Sequence, residues 1–152
     1  MSFEVRVIDP EVNEDDAVEA VGITWRGLQR AKGKQPQDVY IEMFGTAGVV
    51  TTGLYDEAGR LCAASAHMRA AEYAVLLTIV ADQPRQGQGS ALLEGDEGNM
   101  ASEGATQMVL TADNEVALLF FAARGYAEFP GLEGTPDAGR LLAKPLPNPT
   151  AE

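Results

Sequence analysis

The stretch Tyr73–Leu93 reads YAVLLTIVADQPRQGQGSALL, and the fold turns on it. Its first part, Tyr73–Ala81, is a nearly unbroken apolar run, the pattern of a central strand covered on both faces. Its last part opens a helix over about Ser90–Glu103, ended at Gly104. Gly95 and Gly98 each weaken that helix by roughly 1 kcal/mol relative to alanine. Between strand and helix lies Asp82–Gly89, in which Gly87 and Gly89 are separated by a single residue. A helix N-terminus leaves backbone N–H groups unpaired and carries about half a positive charge. Glycines there clear away side chains, so that a phosphate could approach the amides. The same glycines also suit an ordinary tight turn, and taken alone they do not choose. Neither G-x-x-x-x-G-K-[ST] nor G-x-G-x-x-G is present: no lysine closes the turn, and Leu92 stands where a third glycine would.

Upstream, Val49–Tyr55 and Leu61–Arg69 read as a hairpin joined by the turn DEAG. Before it come a first strand over Phe3–Asp9, stopped by Pro10, and a helix over about Ala17–Ala31 capped from NEDD. A shorter helix comes next over Pro36–Phe44, with Val39, Tyr40, Met43 and Phe44 toward the core. Downstream, Thr106–Ala112 is a strand and Asn114–Arg124 a helix ended by Gly125. The chain closes with YAEFPG, a loop, the strand GRLLAKPL and a tail over 147–152. The order β-α-α-β-β-β-α-β-α-β-β describes one α/β (α+β) domain over 1–146 with a mixed sheet.

Composition bounds the function. The chain has 152 residues, 45% of them hydrophobic, which suits one globular domain. No apolar run is long enough to span a bilayer, and the acidic start MSFEVRVIDPEVNEDD lacks the features of a secretion signal. The lone Cys62 has no internal disulfide partner, and a buried, inert thiol is expected there. A cytoplasmic protein is expected from these readings. The formal net charge of −12 disfavours nucleic acid and anionic membranes as partners and favours cationic small molecules. An anionic ligand would have to bind through local backbone dipoles. No metal loop is present: D-x-[DN]-x-[DN]-G is absent, and His67 with Cys62 lacks two further zinc ligands.

Two segments together carry a resemblance. Pro84-Arg85-Gln86-Gly87-Gln88-Gly89, after a strand and opening a helix, resembles the acyl-CoA motif [QR]-x-x-G-x-[GA] of the GNAT superfamily of N-acyltransferases. NEVALLFFAARGY resembles that superfamily's second signature through Asn114, Ala117, Phe120, Gly125 and Tyr126. The resemblance implies a GNAT-like, mostly antiparallel central sheet flanked by helices, with acetyl-CoA as cosubstrate. Its pantetheine arm would pair with backbone groups of Leu77, Thr78 and Ile79, and the Ile79 amide would hold the oxyanion. The diphosphate would sit on the amides of Arg85, Gln86, Gly87, Gln88, Gly89 and Ser90. Asn114 would contact the pantetheine or simply cap its helix. Arg124 would reach a CoA phosphate or stay a solvated helix-end residue.

The sequence departs from that pattern at two places. Pro84 stands where Gln or Arg is usual, which removes an N–H and a side chain. Phe121 stands where a tyrosine usually protonates the departing thiolate. Candidate bases are Glu72, at the start of the central strand, and His67, expected as a partly exposed residue near the end of the preceding one. Trp25, Tyr40, Met43 and Phe44 are core or line an acceptor pocket. The implied activity is transfer of an acetyl group to a primary amine, on a cationic small molecule or on a protein, by direct attack in a ternary complex. The alternative is an acyl-CoA-binding module of the same fold with little catalysis. A homodimer is compatible with either.

Overall fold

The structure is a computed structural model, and it describes residues 3–32, 35–83, 87–112, 115–128 and 140–147. Its elements are β1 (Glu4–Val7), α1 (Glu14–Lys32), α2 (Pro36–Phe44), β2 (Val50–Tyr55), β3 (Leu61–Ala70), β4 (Tyr73–Ala81), α3 (Gln88–Ser102), β5 (Gln107–Ala112), α4 (Glu115–Ala122), β6 (Ala127–Glu128) and β7 (Arg140–Pro145). The seven strands form one mixed sheet in the order β1-β2-β3-β4-β5-β7-β6. The β1/β2, β2/β3, β5/β7 and β6/β7 pairs are antiparallel and β4/β5 is parallel. The chain falls into two compact units, Met1–Met68 with Thr78–Asp96, and Arg69–Leu77 with Glu97–Glu152.

In the first unit, local signals set the element ends. α1 starts at Glu14, earlier than expected, because Asn13 Oδ1 accepts the Asp16 N–H at 3.1 Å. The DEAG turn closes on Asp56 Oδ1, which accepts the N–H groups of Ala58 and Arg60 at 2.9 Å, with Gly59 at φ +81°. Alternation along the hairpin then sorts side chains between two faces. Ala64 and Ala66 pack with Ile8, Ala20, Ile23, Val39 and Met43 against α1 and α2. Leu54 and Ala63 pack with Leu92 of α3. Gly27 lets α1 lie directly on β4, since a Cβ there would collide with Val80. Tyr40 departs from the expectation that it faces the core: it is exposed, while Val39 and Met43 are buried. A nine-residue helix has room for one inward stripe, and Val39 and Met43 occupy it.

In the second unit, β4 pairs β5 over Tyr73–Leu76 against Gln107–Leu110. Met108, Val109, Leu110, Leu142 and Ala143 are buried along β5 and β7. The last turn of α3 closes through Ala105 N–H on Met100 O, with Gly104 at φ +99°. α4 ends the same way, through Tyr126 N–H on Phe121 O around Gly125.

The expectation that β4 is covered along its whole length is corrected. Ala74 and Leu76 are buried, but Leu77 is 49% exposed, and Thr78–Ala81 are half-buried. The ladder to β5 stops at Leu76.

Candidate functional site

The first unit holds the glycine turn and the start of α3. Gly87 takes φ +77°, and nothing lies within 4 Å of where its Cβ would stand. A left-handed residue here turns the chain into α3. Ala91 N–H bonds Gly87 O at 3.0 Å as the helix begins. The amides of Gln88 and Gly89, in the first turn, have no carbonyl of their own helix to bond. No acidic side chain occupies the first turn of α3, so nothing there offsets the helix's positive end. Gln88 Oε1 is buried and has no hydrogen-bond partner among the described residues. The Cβ-free turn and the first-turn amides of Gln88 and Gly89 fit a phosphate-bearing ligand, whereas the orphaned Gln88 oxygen is an acceptor and calls for a donor group. The half-buried residues Thr78 and Ile79 lie a few residues before this turn. Pro84, Arg85 and Gln86, the start of the expected cradle, lie outside the described residues, as does Asn114.

At the end of β4, Asp82 accepts from two arginines. Arg26 Nη2 of α1 reaches Asp82 Oδ1 at 3.3 Å, and Arg60 Nη2 of the hairpin turn reaches Oδ2 at 3.1 Å. The Asp82 N–H bonds Cys62 O at 2.8 Å. Cys62 is buried as expected, and burial pushes its thiol up from the ordinary range.

His67 is corrected from a partly exposed strand-end residue to a core residue, 2% exposed. Alternation on β3 puts it on the same face as Ser65, and that face is roofed by α3. Under α3 sits Asp96, fully buried, which sequence reading missed. Its carboxylate accepts from Thr52 Oγ1 at 2.6 Å and Ser65 Oγ at 2.5 Å. His67 Nε2 stands 3.8 Å from Asp96 Oδ1, and neither ring nitrogen has a hydrogen-bond partner among the described residues. A signal was present: Leu92, Leu93 and Met100 lie four and three residues before and four after Asp96, and all three are buried. An acid within such a stripe faces inward.

A groove of about 490 Å³ runs between α1 and α2, lined by Val18, Val21, Trp25, Pro36, Tyr40 and Ile41 among others. Trp25 and Tyr40 therefore line a pocket, while Met43 is core and Phe44 packs against that core.

In the second unit, Phe121 is buried, edge-on to Phe120 and Tyr126 with ring centroids 5.1 and 5.6 Å away. Tyr126 is also buried, and its hydroxyl donates to Glu97 Oε2 at 2.7 Å. Lys144 Nζ bonds the other Glu97 oxygen at 2.9 Å. The Tyr126 hydroxyl is thus committed to a structural carboxylate. Arg124 folds back on its own helix, donating to Phe120 O at 2.7 Å and stacking over the Phe120 ring. Glu72 is exposed in the turn before β4, and its carbonyl accepts the Thr106 N–H at 2.8 Å.

No family model matches the sequence, and no curated protein matches it. Solved structures do. The chain superposes on Tetrahymena GCN5 with TM-score 0.77 at 14% identity, covering 97% of this chain and 98% of that one. It matches the PaiA N-acetyltransferase of Thermoplasma acidophilum, solved in complex with coenzyme A, with TM-score 0.71 at 18% identity over 95% and 99% of the two chains. It matches an acetyltransferase of the GNAT family from Staphylococcus aureus with TM-score 0.70 at 12% identity over 96% and 100%. The fold is the GNAT fold.

Proposed function

We propose that this GNAT-fold chain is an acyl-CoA-dependent N-acyltransferase that moves an acetyl group from acetyl-CoA to a primary amine. The observation that carries the reading is the start of α3: a Cβ-free turn at Gly87 and a first turn with no acidic side chain, on the chain that follows a half-buried strand end. That arrangement lets a protein of net charge −12 hold a diphosphate on backbone dipoles alone. The cosubstrate supplies an activated acyl thioester. The amine nitrogen bonds to the acyl carbon, the C–S bond breaks, and the amine proton leaves to a base.

The chain's own residues do the rest. Backbone groups of Leu77, Thr78 and Ile79 orient the pantetheine arm as an added strand. The amides of Gly87, Gln88 and Gly89 seat the diphosphate. Phe121 has no proton to give, so CoA departs as a thiolate, at a cost of about 10²- to 10⁴-fold against a chain with a tyrosine acid there. The buried His67 does not reach solvent, so direct proton removal falls to the exposed Glu72 or to water. The apolar groove between α1 and α2 suits an acceptor with an apolar body, and the acidic surface suits a cationic amine.

The test is a calorimetric titration with acetyl-CoA on the parent and on Gly87→Val/Gly89→Val, followed by amine-dependent CoA release. Micromolar binding by the parent, lost in the folded variant, supports the diphosphate seat. Release that depends on an added amine supports the transferase. Binding with no turnover over a broad amine panel would make the chain an acyl-CoA-binding module instead.

A further inference from the structure

The cluster under α3 is buried and polar, and the proposed function leaves it unused. Thr52 Oγ1 lies 2.6 Å from Ser65 Oγ and 2.6 Å from Asp96 Oδ1, and Ser65 Oγ lies 2.5 Å from Asp96 Oδ2. All three side chains are at most 2% exposed. Oxygens this close are hydrogen-bonded, and each such bond needs its own proton. The two hydroxyls supply one each. With Asp96 ionised, both donate to it, and Thr52 and Ser65 face each other with no proton between them. A proton on Asp96 closes the ring. The acid then donates to one hydroxyl, that hydroxyl donates to the other, and the second donates to the remaining carboxyl oxygen.

His67 is the other place for that proton. Its Nε2 stands 3.8 Å from Asp96 Oδ1, and neither ring nitrogen has a hydrogen-bond partner among the described residues. An imidazolium there would bury a cation with two unbonded N–H groups and still leave the Thr52–Ser65 contact empty. On Asp96 the proton removes the charge and fills all three contacts. Burial beside Leu54, Ala63 and Leu92 favours the neutral acid in the same direction. The other titratable groups of the neighbouring elements are engaged or exposed. Glu4 and Arg6 of β1 pair on the surface, and Tyr55 of β2 bonds Asp16. Cys62 and Arg69 of β3 donate to backbone carbonyls. On α3, Glu94 is exposed and Glu97 bonds Tyr126 and Lys144. β4 carries no charged residue, only Tyr73 at its start. We infer that Asp96 is held as a neutral carboxylic acid, and that its proton makes the attachment of α3 to the β2–β3 hairpin a pH-sensitive latch. The inference does not depend on the acyl-CoA reading. The unfolded chain releases this proton above about pH 3.9. The native chain keeps it, so the latch's contribution is complete below that value and declines as pH rises.

The experiment begins with infrared spectroscopy of the whole chain at neutral pH, with isotope-labelled aspartate. The parent should show the carbonyl stretch of one protonated aspartic acid, and its absence overturns the inference without any variant. Urea unfolding is then followed from about pH 5 to about pH 8 for the parent, Asp96→Asn and His67→Gln. An asparagine amide donates and accepts as the neutral acid does but does not titrate, so Asp96→Asn should fold and lose the infrared band. The parent's folding constant should fall relative to that variant by about tenfold per pH unit. A parent that holds level with the variant, or gains on it as pH rises, has an ionised Asp96 and overturns the inference. His67→Gln should keep the parent's slope, and a slope lost there puts the proton on the imidazole and overturns the assignment to Asp96. Hydrogen exchange of the α3 amides, corrected for its chemical pH dependence, reads the latch itself. Protection should fall with pH in the parent and stay level in Asp96→Asn. Protection that is level in both means that the proton fastens nothing, which overturns the latch. An Asp96→Asn chain that cannot fold counts against a neutral acid, and the band in the parent then decides.

Discussion

Asp82 and Asp96 lie in the same compact unit, each is hydrogen-bonded to at least two side chains among the described residues, and they are opposite in kind. Asp96 is fully buried and bonded by two neutral hydroxyls at 2.6 and 2.5 Å. Asp82 is near the surface and bonded by two cations at 3.3 and 3.1 Å. A buried carboxylate without close, well-aimed donors would be very costly, so its partners are short and fixed. A surface carboxylate is hydrated in any case, so long and loose contacts suffice. The first arrangement specifies the core and is closed to ligands. The second leaves donor capacity facing outward.

The largest effect should come from breaking the buried member. Asp96→Ala leaves the Thr52 and Ser65 hydroxyls with only each other, at 2.6 Å, and opens a void beneath α3. A loss of about 3 kcal/mol in urea unfolding is expected. Ser65→Ala removes one donor and should cost about 1–2 kcal/mol by the same measurement. If either change proves neutral, the carboxylate is not what ties α3 to the hairpin. Asp82→Asn should cost less than about 1 kcal/mol, and a larger loss would mean that the surface clasp is structural after all.

The difference between the two aspartates also marks what the sequence could show. Turn chemistry, caps and apolar runs placed all the strands and helices in order, because each signal is local: DEAG for the hairpin, Asn13 for α1, and Gly104 and Gly125 for the ends of α3 and α4. The candidate turn at Gly87 was legible for the same reason. Burial of polar residues was not, since it depends on which face meets a neighbour. His67 reads as an edge residue until Ser65 and Asp96 are seen on the same side. β4 makes the point within one strand. Leu76 and Leu77 are adjacent and identical, yet one is 5% and the other 49% exposed, since the β5 ladder ends between them. Arg26 and Arg60 are far apart in sequence, and no local pattern links them to Asp82.

The smallest effect concerns Cys62, whose carbonyl anchors the Asp82 N–H and whose thiol donates to Arg60 O at 3.3 Å. Burial raises its pKa from the ordinary 9.0, and burial together with the hydrogen bond to Asp16 raises that of Tyr55 from 10.0. A raised pKa in the folded state means that the native chain keeps protons that the unfolded chain gives up. The associated stability is complete below the unfolded values and is lost as pH climbs through the folded ones, so the decline begins near pH 9 and steepens beyond pH 10. Urea midpoints taken through that window should fall, and Cys62→Ala should remove only the earlier part of the fall. The thiol should also react slowly with a disulfide reagent in the native state and rapidly in denaturant. Fast native labelling would mean that the strand beneath the Asp82 clasp opens readily. The contrast between a sealed aspartate and an open one would then be a difference in how often each region opens, not in how each carboxylate is bonded.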